Sequence, residues 1–162
     1  DLHQLTLIRE TKAGAKVEER PPLQLNDLLG EWQGEAVTLY PDWRSLDTYA
    51  TCLKLDLEGT ERVVQQLTFG AADNVRTITS TARIEGSILR FDQSAQAVQV
   101  LFLPNGTSSN CPRHLKVGQP FVLEVGWLIE PDLRQRMVRR YDAQGGWSSL
   151  TLVTERKVGA AS

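Results

Sequence analysis

The stretch that decides the fold is Phe121–Tyr141, which reads FVLEVGWLIEPDLRQRMVRRY. Apolar and polar residues alternate on both sides of Pro131-Asp132, and this alternation predicts two strands, Pro120–Glu130 and Leu133–Asp142, joined by a tight turn. A further alternating run, Trp147–Lys157, follows the turn signal Gln144-Gly145-Gly146. The C-terminal part of the chain is therefore predicted to be an antiparallel sheet of three long strands.

The same pattern of short alternating runs extends through the rest of the chain. Turn signals such as Glu58-Gly59-Thr60 and Glu85-Gly86 separate the runs. The only helical segment expected is one turn at Asn26–Leu29, with Asn26 as its cap. Asn105–Pro112 is expected to be a loop. The remaining predicted strands are Gln4–Arg9, Glu31–Tyr40, Thr48–Glu58, Arg62–Phe69, Val75–Ile84, Ser87–Phe91, Ala97–Leu103 and a short one at Arg113–Val117.

About nine or ten consecutive strands with short turns predict an all-β fold, an antiparallel up-and-down β-barrel. Closure removes the exposed edges that so many strands would otherwise present, and a barrel of this size commonly encloses one small ligand. A filled sandwich is the alternative. Residues 25–162 are predicted to form the barrel domain, and residues 1–24 an N-terminal strand and linker. Because Leu5–Glu10 resembles Leu150–Glu155, that strand is also consistent with the closing strand of a preceding, similar barrel.

Composition excludes several classes of protein. The 162 residues are 41% hydrophobic and 23% charged, and 18 basic against 20 acidic residues leave a net charge of -2. That balance argues against a general electrostatic nucleic-acid binder. No apolar run approaches the roughly 20 residues of a membrane-spanning helix. Two histidines and two distant cysteines make a metal site improbable, with Cys52 expected in the core and Cys111 on a loop.

One face of the three C-terminal strands is charged. If Glu130 lies opposite Arg134, Glu124 lies opposite Arg140, and the next turn places Arg134 beside Glu155 and Arg136 beside Val153. Hydrophobicity alone would turn this face to water, because the opposite face is apolar. Clustered arginines favour the interior instead, since their planar guanidinium groups suit a carboxylate ligand. The charged face comprises Glu124, Gly126, Leu128, Glu130, Arg134, Arg136, Val138 and Arg140, completed by Ser149, Thr151 and Glu155.

Gly30-Glu31-Trp32, which follows the single helical turn and opens the first barrel strand, resembles the G-x-W motif of lipocalins. The resemblance implies structural roles for Gly30 and for Trp32, which would plug one end of the barrel. It also implies that an arginine near the end of the last strand packs across the tryptophan. Arg156 is the matching residue here.

A second resemblance lies in the C-terminal strands. Glu124, the run Pro131–Arg136 (PDLRQR) and Thr154-Glu155-Arg156 look like the S/U-type phycobilin lyases of cyanobacteria and algae. The whole chain looks closer to a sister group of cyanobacterial and plastid calycin-like proteins without an assigned activity. The lyase resemblance implies a ten-stranded barrel in which Glu124, Arg134 and Arg136 line the cavity and bind a bilin.

These observations predict a binding protein for a small apolar ligand that carries carboxylates, a phycocyanobilin-type bilin being the ligand that the resemblance implies. Arg134, Arg136, Arg140, Glu124 and Thr151 are the expected ligand contacts, and no cofactor is required. Whether the chain is an enzyme is left open. As an enzyme it would be a phycobilin lyase acting on a phycobiliprotein subunit, with Glu124 as proton donor. The resemblance implies a cytoplasmic or stromal location. A fatty-acid or lipid binder and a protein-interaction or assembly module without a small ligand are the alternatives.

Overall fold

The computed structural model describes residues 4–16, 18–43, 46–71, 73–93 and 96–159. Residues 1–3 of the predicted N-terminal strand and linker, and residues 160–162 of the predicted barrel domain, lie outside the described residues. One helical turn, α1 (Leu25–Leu28), precedes the strands. The strands are β1 (Gly30–Leu39), β2 (Leu46–Glu58), β3 (Arg62–Gly70), β4 (Arg76–Glu85), β5 (Ile88–Phe91), β6 (Val98–Leu103), β7 (Thr107–Pro112), β8 (Phe121–Glu130), β9 (Leu133–Tyr141) and β10 (Trp147–Gly159).

The ten strands form one closed antiparallel barrel. Each strand pairs with the next in the chain, and β1 pairs with β10 through partners that run from Trp32↔Lys157 to Leu39↔Leu150. Closure satisfies the backbone groups that an open sheet would leave exposed at its edges. The predicted all-β, up-and-down barrel is confirmed, and the filled sandwich is excluded.

Three local predictions are wrong. The expected loop at Asn105–Pro112 contains β7, and the expected strand at Arg113–Val117 lies in the connection to β8. The sequence did not predict β7 because its residues, TSSNCP, are mostly polar, although most of them are buried. The predicted strand at Gln4–Arg9 has no regular secondary structure. This segment runs along the outside of the barrel, where it lines a groove with Trp127 and Met137.

The helical turn is capped by a residue other than the expected one. Asn26 lies inside α1, and the cap is Gln24, whose backbone N–H donates to Asp27 Oδ2 at 2.8 Å in a capping box. The turn presents Leu28 to the barrel interior. It thereby closes one end of the barrel.

The interior differs between the two ends of the barrel. At the closed end, which is the end covered by α1, apolar side chains pack together in a buried core. At the open end, where β1 leads into β2 and β9 into β10, the inward residues Thr38, Ser149 and Thr151 are small and polar. The closed-end core comprises Leu23, Leu28, Trp32, Leu53, Leu55, Val63, Ala82, Leu89 and Phe102.

Both cysteines depart from their predicted positions. Thr51 and Leu53 on β2 face inward, so Cys52 between them is on the outer face and is only half-buried. Cys111 belongs to β7 and is buried, rather than lying on a loop. Both are free thiols. No helix in the described part of the chain is long and apolar enough to cross a membrane.

Candidate functional site

The charged face of β8, β9 and β10 points into the barrel. Arg134 is 5% exposed and Glu155 is 1% exposed, whereas Trp127 and Met137 on the opposite face are 42% and 41% exposed. The interior orientation that clustered arginines favoured is therefore correct, and hydrophobicity taken alone fails here. The reason lies in pairing, because the buried charges neutralise one another inside the barrel.

The predicted pairing of β8 with β9 needs one correction. An irregularity between Leu128 and Glu130 shifts the register, so Leu128 rather than Glu130 lies opposite Arg134. Glu124 consequently lies opposite Val138 and not opposite Arg140. The pairing of β9 with β10 is as predicted, with Arg134 beside Glu155 and Arg136 beside Val153.

Glu155 holds both buried arginines. Its Oε1 accepts from Arg134 Nε at 2.5 Å and from Arg136 Nε at 2.9 Å, and its Oε2 accepts from Arg136 Nη2 at 3.1 Å. Arg136 Nη1 reaches Glu124 Oε2 at 3.4 Å. We call these four residues, Arg134, Arg136, Glu155 and Glu124, the charged cluster. Two cations and two carboxylates leave it with no net charge.

The protonation of the charged cluster follows from this geometry. Burial alone would raise the pKa of Glu155, but the charges of Arg134 and Arg136 outweigh it and hold that pKa below its ordinary value. Burial likewise opposes the charge of Arg136, yet Glu124 and Glu155 raise the pKa of that guanidinium above its ordinary value. Burial lowers the pKa of Arg134, and the charge of Glu155 opposes that effect. Arg134 Nη2, although close to Glu155 Oε1, makes no hydrogen bond with the described residues.

Trp32 closes the barrel beneath the charged cluster. It is completely buried, and its indole N–H donates to the carbonyl of Leu28 in α1 at 2.9 Å. The predicted cation–π contact exists, but Arg134 and Lys157 provide it, each 5.0 Å from the ring centroid. The prediction that Arg156 packs across Trp32 is wrong, and the neighbouring Lys157 on β10 makes that contact. Strand alternation turns Arg156 outward, where it pairs with Asp132 at 3.1 Å.

Two glycines make room for the charged cluster. A Cβ on Gly34 would lie 2.1 Å from the carbonyl oxygen of Thr154, so only glycine lets β1 approach β10 beside Glu155. A Cβ on Gly126 would lie 2.5 Å from Ser108 Oγ and 3.8 Å from Arg136 Cγ. Gly30, the glycine predicted to have a structural role, begins β1 at a φ of 106° and so directs the chain from α1 into the barrel.

A cavity of about 750 Å³ occupies the open end. Thr38 and Thr151 share a hydrogen bond of 2.7 Å on its wall. Arg140, predicted as a ligand contact, lines the same cavity, and no carboxylate of the described residues forms an ion pair with it. Asp47, also on the wall, accepts from the Tyr40 hydroxyl at 2.7 Å, and this bond raises the pKa of Tyr40. The open end therefore presents hydroxyl groups, the guanidiniums of Arg76 and Arg140, and the carboxylate of Asp47.

The structure brings only some of the predicted ligand contacts together. Arg134, Arg136 and Glu124 meet in the charged cluster, whereas Arg140 and Thr151 lie at the open-end cavity. Sequence reasoning placed Glu155 on the charged face but did not count it as a site residue. The expected pairing of Arg134 with Glu155 was the signal that could have identified it. Lys157 beside Trp32 was missed, although alternation from Glu155 puts it on the inner face.

Other chemistry finds little support in the described residues. No three of their His, Cys, Asp and Glu side chains are grouped so that they could hold a metal ion. A shallow cavity of about 280 Å³ beside Cys52 is lined by residues of β1, β2 and β3. Burial and the neighbouring Glu31 raise the pKa of the Cys52 thiol, so it is a poor nucleophile at neutral pH.

A closed ten-stranded barrel with a tryptophan plug and an open polar end defines a lipocalin-like protein. The chain belongs to the family described as biogenesis factor required for ATP synthase 1, C-terminal domain, whose model matches residues 19–158. A Nostoc punctiforme protein of unknown function from the DUF3598 family is 55% identical, with a TM-score of 0.84. The alignment covers 90% of this chain and 53% of that protein, so this chain spans about half of its relative.

The fold is shared more widely than the sequence. The S-type phycobiliprotein lyase CPES from Guillardia theta superposes with a TM-score of 0.64 at 12% identity, over 82% of this chain and 89% of the lyase. This similarity confirms the predicted resemblance in fold. Among curated proteins, no sequence matches the chain significantly.

Proposed function

We propose that this chain is a protein-binding domain of a factor that acts in the biogenesis of ATP synthase, and that its barrel is a rigid scaffold for that contact. Membership of the family over residues 19–158 supports this role. The observation that carries the proposal is the orientation of the C-terminal strands. Their charges are neutralised inside the barrel, and their apolar residues are left on the outside, where a partner can reach them.

The charged cluster supports a scaffold more than a catalytic centre. Arg134 and Arg136 already share the carboxylate of Glu155, and Glu124 completes the charge balance. A ligand carboxylate that bound there would compete with Glu155, which is buried and already accepts from both guanidiniums. Breaking such a buried pair is costly, so the cluster acts as a fixed internal brace.

The test is direct binding of isolated ATP synthase subunits to this chain, measured by biolayer interferometry and size-exclusion chromatography. We expect a saturable complex with at least one subunit at a Kd below about 10 μM, the range of specific transient complexes. The Guillardia theta lyase is a control matched in fold. Absence of any complex, or equal binding by the lyase, would contradict the proposal.

Binding of a small carboxylate ligand at the open end is the second candidate function. Arg140 favours it, because it forms no ion pair with a carboxylate of the described residues. Together with Arg76 and several hydroxyl groups it lines a cavity of about 750 Å³, and guanidinium groups suit a ligand carboxylate. A bilin or a fatty acid satisfies this chemistry. The fold shared with an S-type phycobiliprotein lyase supports the bilin, with Arg140 and Thr151 as first contacts and Glu124, Arg134 and Arg136 deeper in the barrel.

Substitution of two adjacent arginines distinguishes ligand binding in the open-end cavity from binding elsewhere on the protein. Arg140 lines the open-end cavity, whereas Arg139 is on the outer face of the same strand. Titration with phycocyanobilin should shift the visible absorption of the pigment, and Arg140→Gln should weaken that binding about ten-fold while Arg139→Gln leaves it unchanged. An absorption spectrum that stays that of free pigment excludes the bilin, and displacement of a fluorescent fatty acid then tests the lipid. Covalent transfer to an apo-phycobiliprotein would identify a lyase.

A further inference from the structure

The outer face of β8, β9, β10 and β1 is unusually apolar. The strand pairings place Val125, Met137, Leu152 and Val37 side by side in one row across four strands. All four are on the outside of the barrel, because the inward residues of these strands include Gly126, Arg136, Val153 and Ala36. The row is partly open to solvent, since Met137 and Leu152 are 41% and 37% exposed.

A second row adjoins the first towards the open end. It runs Leu123, Arg139, Leu150 and Leu39 in the same strand order. Arg139 is exposed, and no carboxylate of the described residues pairs with it, so a single cation stands among apolar neighbours. Trp127 flanks the first row on its other side and is 42% exposed. We call these two rows with Trp127 the apolar outer face.

The opposite side of the barrel shows that this composition is not a requirement of the fold. The outward residues of β4 are Thr77, Thr79, Thr81 and Arg83. On β2, the outward Lys54 and Asp56 form an ion pair at 3.3 Å. Antiparallel sheets normally present such polar residues to water. The apolar outer face departs from that rule over four neighbouring strands, which is typical of an interaction surface.

We propose that the apolar outer face docks a partner protein through an apolar patch that carries a carboxylate, and that this carboxylate pairs with Arg139. The inference rests on the proposed function and names the surface that performs it. Charge complementarity selects the partner's chemistry, because desolvating the Arg139 guanidinium against an apolar surface is favourable only if the partner supplies an acid. Tryptophan, methionine and arginine are also the residues most enriched at such interfaces.

A groove at the edge of the apolar outer face could orient the partner by accepting one of its side chains. It has a volume of about 870 Å³ and lies between Leu5–Glu10 on one side and Val125, Trp127 and Met137 on the other. An apolar side chain that projects from the partner can enter this groove while the partner's carboxylate contacts Arg139. Such an anchor in a pocket beside a charge pair is the usual arrangement of a strong contact.

The first test uses the ATP synthase subunit that binds the unmodified chain. Arg139→Glu and Met137→Gln should each weaken that complex by about ten-fold or more, as central interface residues do. Arg62→Glu and Thr79→Gln, exposed residues of the opposite side, are the matched controls and should bind unchanged. A subunit that binds all four variants equally would overturn the docking surface while leaving the proposed function intact.

A second probe separates failure of the surface from failure of the proposed function. Anilinonaphthalene sulfonate combines apolar rings with an anionic group, so its fluorescence should rise on the apolar outer face and fall in Met137→Gln and Arg139→Gln but not in the controls. That result without a bound subunit overturns the ATP synthase role and supports the surface. Unchanged fluorescence overturns the surface. Dimers of the unmodified chain that Met137→Gln dissociates would identify a second copy as the occupant and overturn the proposed partner.

Discussion

The two ends of the barrel are built from the same strands but are filled in opposite ways. At the closed end, Trp32 on β1 and Leu53 on β2 are buried among apolar side chains. Further along the same strands, towards the open end, the inward positions are held by Thr38 and Tyr49, whose hydroxyls lie 3.2 Å apart. Large apolar residues therefore fill one half, and small or hydroxyl-bearing residues leave a cavity in the other.

The charged cluster separates the two halves. Arg134 contacts the Trp32 ring on the closed side, and Thr151 lies on the open side, two positions beyond Val153 on β10. We infer that the closed end supplies most of the folding free energy, because it contributes most of the buried apolar surface. The open end and the outer face are consequently freer to vary for binding. Substitutions at the two ends of the barrel test this division.

Trp32→Ala should cost about 3–5 kcal/mol of unfolding free energy, as large-to-small changes in a packed core do. The change also removes the hydrogen bond to Leu28 and two cation–π contacts. Trp43 at the open end is 67% exposed, so Trp43→Ala should change the free energy by no more than about 0.5–1 kcal/mol. Urea unfolding measures both. Equal losses would contradict the division between the two ends.

Glu155→Gln should cost about 3 kcal/mol, because it leaves two buried guanidiniums with only one carboxylate. Since the pKa of Glu155 is lowered in the folded protein, its stabilising effect is complete above the unfolded value of about 4.3 and is lost as the pH falls through the lower folded value. Urea unfolding at neutral pH and at acidic pH should therefore show the variant approaching the unmodified chain in acid.

Exposed Glu130 provides the control for this prediction, since it is in the same part of the sheet and makes no contact with the charged cluster. Glu130→Gln should leave the unfolding free energy within about 0.5 kcal/mol at either pH. A difference between Glu155→Gln and the unmodified chain that stays constant with pH would show that Glu155 contributes by packing and not by charge.

Much of the fold was predictable because alternation and turn residues are local signals. Every strand of the closed barrel except β7 was expected within two residues of its observed bounds. β7 was not predicted because its buried residues, Ser108, Ser109, Cys111 and Pro112, include no large apolar side chain that would give an alternating pattern. Register was less predictable. The irregularity between Leu128 and Glu130 moved Glu124 by two residues along β9, and no sequence signal announces such a shift.

The candidate site was predicted in part for a related reason. The inward orientation of Arg134 and Arg136 could be argued from clustering, and the facing Glu155 from turn length. The sequence could not predict which arginines lack a carboxylate partner, because that depends on distances among side chains on three strands. The structure shows that Arg140 and Arg139 lack carboxylate partners among the described residues, and one faces the cavity while the other faces outward.

Gly126→Ala should cost about 1–3 kcal/mol, the usual range for overpacking. Its Cβ would lie 2.5 Å from Ser108 Oγ, so β7 or the serine side chain must move. Gly159→Ala is the matched control, because its Cβ would lie 3.6 Å from Glu31 Cβ, an ordinary contact. Chemical denaturation compares the two variants. If the two lost the same free energy, the close approach at Gly126 would not be a feature of the folded protein.

Thr38→Val should lower the unfolding free energy slightly, and by more than a matched substitution on the outer surface. Thr38 is buried, and its hydroxyl bonds to Thr151 at 2.7 Å and to the Tyr49 hydroxyl at 3.2 Å, so valine leaves both partners without it and should cost about 1 kcal/mol. Thr79→Val on the outer face of β4 should change the free energy by less than about 0.5 kcal/mol. A Thr38 variant as stable as the Thr79 variant would mean that water replaces the lost bonds, and hence that the polar wall of the open end holds solvent until a ligand displaces it.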